Sequence, residues 1–195
     1  MRLGAIAIRG VVGPLFIGHG TQKLFGWFGG HGIEGTGQQF ESLGLKPGKR
    51  HATAAGVAEA LGGLLVTLGF LTPVGASMVS GAMITAIRKA HAQNGPWVTN
   101  GGYEYNLTLL AAMVALSDNG PGPLSLDKAL FGDRFHGARW ALLQLGAATA
   151  GSFLNDLPPL NEASHGPAEG EAGAGDPASN GRSSADHATA GATAR

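Results

Sequence analysis

From Ala52 to Ile87 the chain runs for 36 residues with one formal charge, Glu59. A bilayer core of about 30 Å takes about 20 helical residues, so the run is too long for one span and nearly long enough for two. Leu71-Thr72-Pro73 stands at its middle. Proline opens helices well and interrupts them badly. The pattern predicts a helical hairpin, Ala52–Leu71 and Pro73–His91. Arg88, Lys89 and His91 then lie at the interface, where long basic side chains reach water. Soluble helices carry a polar stripe opposite the core. Between Ala54 and Met78 the polar positions are only Glu59, Thr67, Thr72 and Ser77, which argues against a soluble bundle. The richness in Ala, Leu and Gly argues against strands.

Two further runs complete a four-helix transmembrane bundle, an all-α polytopic fold. Leu3–His19 is apolar except for Arg9, and Tyr103–Ser117 is short and aromatic at its start. Trp97, Tyr103 and Tyr105 suit an interfacial belt, as do Phe25, Trp27 and Phe28 after the first span. Trp140–Leu154 is a short fifth run, open to three readings: a span, an interfacial helix or a cap on the bundle. Arg9 breaks the first run and no Ala-x-Ala site follows, so a cleaved signal peptide is not expected.

Residues 155–195 differ in kind. They hold six acids, two bases and no aromatic residue. Such a segment buries too little apolar surface to offset its ordering entropy and is expected to be disordered. The organisation expected is a bundle over residues 1–130, a short apolar helix within 131–154 and a tail over 155–195. Thirteen basic and thirteen acidic residues give the whole chain no net charge, so nucleic acid is not an expected partner. The absence of cysteine excludes disulfides, thiolate metal sites and cysteine nucleophiles, and no metal site is expected.

The 34 glycines read as packing residues. Membrane helices associate through close backbone contact, which small side chains allow. Arg9, Gly13, Phe16 and Gly20 share one face of the first helix, and Ser77, Gly81 and Thr85 one face of the third. Gly56, Gly62, Gly63 and Gly69 lie in the second. No glycine pattern makes a phosphate loop.

Charges within hydrocarbon face the bundle interior and pair. Arg9 and Glu59 are expected to form an ion pair across adjacent antiparallel spans. In a four-span topology His19, Gln22, Lys23, Arg88, His91 and Glu104 gather at one interface, with Asn106 beside Glu104. Arg9, His19, Gln22, Lys23, Glu59, Arg88, His91, Glu104 and Asn106 are thus the candidate polar cluster. Histidine, carboxylate and arginine beside an apolar cavity suit a quinone headgroup, through hydrogen bonds to its carbonyls and proton supply on reduction. Haem held by two histidines is the weaker alternative. The competing reading is simple interfacial anchoring.

Arg9, the segment Leu15-Phe16-Ile17-Gly18-His19-Gly20-Thr21-Gln22-Lys23-Leu24-Phe25-Gly26, the segment Glu59-Ala60-Leu61-Gly62-Gly63-Leu64 and the stretch Asn94–Asn106 resemble the DoxX family of small membrane proteins. The resemblance covers roughly residues 1–130. It implies a multi-pass protein of the cell membrane built on four helices. The family name derives from a thiosulfate:quinone oxidoreductase of sulfur-oxidising archaea, and bacterial relatives are linked to membrane redox and oxidative-stress systems. The resemblance therefore implies a redox-linked subunit, at most part of a membrane oxidoreductase, that handles quinone or electrons with a soluble redox-enzyme partner. The alternative is a non-catalytic scaffold that anchors such enzymes. A homo-oligomer is compatible with either. A small-solute transporter is disfavoured, because no inverted repeat is evident.

Overall fold

Helix α1 (Leu3–Phe25) and helix α3 (Gly48–Leu68) are long and apolar enough to cross a bilayer. They lie antiparallel and in backbone contact. A Cβ on Gly13 would stand 2.9 Å from the Gly63 carbonyl, and one on Gly20 only 2.4 Å from the Ala60 nitrogen. The shared face of Arg9, Gly13, Phe16 and Gly20 is the buried face of α1, as its spacing predicts. These coordinates are a computed structural model that describes residues 3–154 and Asp156. All the described residues lie within one compact unit. The expectation of a disordered tail falls, Asp156 apart, outside the described residues.

The hairpin forms where the sequence places it. Helix α3 ends at Leu68 with Gly69 in the left-handed conformation (φ 59°), which glycine adopts without a steric penalty. Helix α4 (Thr72–Ala86) opens with Pro73 in its first turn and continues into a π-helical turn, Ile87–His91. Helix α5 (Glu104–Asn119) returns antiparallel. Helix α7 (Ala138–Leu154) packs along α4 and α5. Two short helices stand outside the expected set. Helix α2 (Gly32–Ser42) sits on α3 and α1, and α6 (Leu126–Phe131) lies before α7. The described residues contain helices and no strands.

The core is Phe16, Val66, Ala76, Val79, Leu109, Met113 and Leu116. Around it the polarity runs opposite to that of a soluble protein. Arg9, Glu59, Ser80, Asn106, Ser117 and Gln144 are buried, whereas Leu15, Leu61, Leu64, Leu142 and Phe153 face outward. Outward apolar and inward polar side chains are what lipid demands of a helical protein.

Candidate functional site

Two polar centres stand at opposite ends of the bundle. At one end is Arg9. Its Nε donates to the Val66 carbonyl at 3.2 Å and one terminal nitrogen to the Thr67 carbonyl at 3.0 Å. The other terminal nitrogen donates to the carbonyls of Pro121 at 2.8 Å and Leu124 at 2.7 Å. The guanidinium thus binds two carbonyls in the last turn of α3, of which Val66 also accepts the Gly69 N–H at 3.0 Å, and ties them to the loop after α5. Asp127 lies in the same region and attracts Arg9 through space. Its carboxylate accepts the backbone N–H groups of Leu71 at 2.7 Å and Thr72 at 2.9 Å. A negative group is favourable at the start of α4, where no local side chain caps the helix.

The expected Arg9–Glu59 pair is therefore corrected. Glu59 Oε2 accepts instead from Lys23 Nζ at 2.6 Å. Arg9 and Lys23 stand about 21 Å apart along one helix at 1.5 Å per residue. The α1–α3 register, set by glycine contacts, places Glu59 near Lys23 and the end of α3 near Arg9. Helix α1 also runs six residues beyond His19, so His19, Gln22 and Lys23 are helical.

The Lys23 end is hollow. A cavity of about 870 Å³ opens among α1, α3, α4, α5 and α7, with α2 and the segment after it over one side. Most of its wall is apolar and small, with Ala55, Ala58, Gly81 and Ala82 among the lining residues. Five candidates line it: His19, Lys23, Glu59, His91 and Asn106. His19 Nδ1 donates to Gln22 Oε1 at 3.1 Å and meets the Phe16 ring edge-on at 6.1 Å. His91 Nδ1 donates to the Gly101 carbonyl at 2.7 Å. Asn106 Nδ2 approaches Met83 Sδ at 3.3 Å.

The remaining candidates serve local structure. Gln22 Nε2 donates to the Phe28 carbonyl at 3.3 Å. Glu104 Oε1 accepts the Val98 N–H at 2.7 Å and so closes the 96–104 loop. Arg88 donates to the Ser152 carbonyl at 2.9 Å, pairs with Asp156 and lies over the Phe153 ring at 3.7 Å. Lys89 and Tyr105, which the sequence placed at the interface but outside the candidate cluster, also line the cavity, as does His51, which sequence reasoning missed. His51 is buried and its Nε2 donates to the Lys46 carbonyl at 3.3 Å. Its position one residue before the long apolar run was the available signal. Among the described residues, no three His, Asp or Glu side chains group as metal ligands.

The DoxX family matches residues 4–92. The uncharacterized membrane protein Rv3486 of Mycobacterium tuberculosis is 33% identical over 135 residues, which cover 64% of this chain and 80% of that protein. The chain belongs to the DoxX family. It is a membrane protein, as the family, that relative and the inverted polarity of the bundle agree. No solved structure matches it. The matched segment of this DoxX protein contains Arg9, Lys23, Glu59 and the whole π-helical turn, whereas α5 and α7 lie beyond it.

Hydrogen bonds from Lys89 and Arg88 hold the Asp156 carboxyl below its ordinary range. A carboxyl lowered by folding stabilises the fold above its unfolded value, and that contribution is lost as pH falls through the folded value. The Asp156→Asn variant is thus expected to melt below wild type at pH 7. The gap should close on acidification to below the lowered Asp156 value. A gap that stays constant across that range would show that the ion pairs do not couple to folding.

Proposed function

We propose that this DoxX protein is a multi-pass bundle of the cell membrane, with α1, α3, α4 and α5 as spans, and that its cavity binds the headgroup of a membrane quinone. The observation that carries the reading is the Lys23–Glu59 ion pair, set in the wall of a mostly apolar cavity of about 870 Å³. A quinone is a flat apolar ring with two carbonyl acceptors. Lys23 Nζ has donors beyond the one given to Glu59, and Asn106 and His19 add polar atoms on other walls. Reduction to the quinol takes up two electrons and two protons. Glu59, His19 and His91 line the cavity and bring side-chain atoms that can give or take a proton. The electrons come from a soluble redox partner, which makes the chain the membrane subunit of an assembly.

Binding of decylubiquinone to the detergent-purified protein tests this reading. Wild type is expected to bind it. Glu59→Gln should weaken binding about tenfold or more, the effect of losing one charge-assisted contact worth about 1.5–3 kcal/mol. Absence of binding by a folded wild type would remove the reading.

A second reading, a non-catalytic scaffold for soluble redox enzymes, rests on a different observation. Lys46, Lys49 and Arg50 are exposed together at the start of α3. This basic edge suits an acidic soluble partner. Co-purification of a redox enzyme that survives Glu59→Gln but is lost on neutralising Lys46 and Arg50 would favour it.

A further inference from the structure

We propose that α7 is a fifth transmembrane span that completes the wall of the cavity and is locked there by Asp156. The identity of the ligand rests on the quinone reading above; the placement of α7 does not.

The register along α4 sets its path. Ser77 Oγ donates to the Gln144 carbonyl at 3.2 Å, and Gln144 Nε2 donates to Ser80 Oγ at 2.7 Å. One turn on, a Cβ at Gly81 would stand 3.4 Å from the Ala148 carbonyl. Further on, Arg88 reaches the Ser152 carbonyl at 2.9 Å. Both chains advance together, so α7 runs parallel to α4. It starts beside the end of α5, where the Gly137 N–H bonds the Asp118 carbonyl at 2.8 Å. It finishes beside the end of α4. Its 17 residues cover about 25 Å, most of a bilayer core.

An interfacial helix has one apolar face in lipid and one polar face in water. Helix α7 has neither arrangement. Its polar side chains Gln144 and Ser152 are 1% exposed, and its exposed side carries Leu142, Leu143, Leu145 and Phe153. A buried amide needs partners; Gln144 Nε2 finds them on α4 in Ser80 Oγ and the Ala76 carbonyl, while its Oε1 has no hydrogen-bond partner. Thr149 is exposed but returns its hydroxyl to the Leu145 carbonyl at 2.8 Å, and Arg139 is exposed in the first turn. Beyond that turn Gln144 and Ser152 face the bundle and the outward side is otherwise apolar, as in a span.

The same helix borders the cavity through Ala147, Ala148, Gly151 and Leu154. Its end is fixed at the rim. Asp156 pairs with Arg88 and, at 2.6 Å, with Lys89, and Lys89 itself lines the cavity. This clamp holds α7 against the π-helical turn, a type of irregularity that recurs at functional sites. The ligand class that fits such a site is a bilayer-soluble molecule with an apolar body and a small polar head.

The chain has no native cysteine, so introduced thiols report cleanly. In native membranes Gly81→Cys with Ala148→Cys is expected to form an intramolecular disulfide on oxidation. Impermeant thiol labelling should find Arg134→Cys and a cysteine added after Arg195 on opposite faces. Labelling of both on one face, or failure of the disulfide, would overturn the fifth span. Gly151→Trp is expected to lower decylubiquinone affinity at least tenfold while the disulfide still forms in that background. Undiminished binding would overturn the wall role. If wild type itself binds no decylubiquinone, the quinone reading falls, and the labelling and disulfide results still decide where α7 lies.

Discussion

Arg9→Met is expected to destabilise the bundle by about 3–5 kcal/mol, the range for removing one member of a buried charged network. The guanidinium donates to four backbone carbonyls, two at the end of α3 and two in the loop after α5. Methionine has similar length but no donor. All four carbonyls would lose a charge-assisted partner, and Asp127 would lose the charge that faces it. Thermal unfolding in detergent, followed by near-ultraviolet circular dichroism, measures this. Asp127→Asn is the graded comparison. It keeps the shape but weakens the cap on α4, at a cost of about 1 kcal/mol in the range for helix caps. An Arg9→Met protein that melts with wild type would show that lipid headgroups or water replace the guanidinium at no cost.

Gly20→Leu is expected to separate α1 from α3. A Cβ at Gly20 meets the Ala60 nitrogen at 2.4 Å and the Gly56 carbonyl at 2.5 Å. Both are backbone atoms, so no rotamer change relieves the clash. The helices must move apart, which costs about 3 kcal/mol or more at the upper end of overpacking effects. The separation would also pull Lys23 from Glu59, because both sit one turn away on the same interface. Gly18→Leu is the control. It lies on the same helix with nothing within 4 Å of its Cβ, and its unfolding should stay close to wild type. Equal melting of the two variants would deny that α1 and α3 touch at Gly20.

The glycine spacing that carries this prediction was legible in the sequence. Arg9, Gly13, Phe16 and Gly20 fall three or four residues apart, and that face is the buried one. The hairpin was legible for a similar reason, because length and a central proline leave few alternatives. The end of α1 was not. His19-Gly20-Thr21-Gln22-Lys23 reads as an exit from the membrane, yet the helix continues because Lys23 finds Glu59 and Gly20 finds Gly56 on α3. Helices α2 and α6 have only 11 and 6 residues, far short of the length that marks a span. The candidate cluster was legible in part. His19, Lys23, Glu59, His91 and Asn106 meet at the cavity because topology brings those helix ends to one side. Gln22, Arg88 and Glu104 share that side but spend their polar atoms on nearby backbone or on α7.

The sequence by itself determined that this chain is helical and apolar outward, and that small residues set its helix contacts. These follow from composition and period, which are local properties. Only the tertiary structure decided the partners of the charges. Arg9 binds main-chain carbonyls, which every residue carries and no sequence marks. Glu59 binds Lys23 because a register counted in glycines, rather than the attraction of opposite charges, fixes how α1 slides along α3. Backbone contact at 2–3 Å is steeply repulsive, whereas a flexible lysine adapts to wherever the helices come to rest.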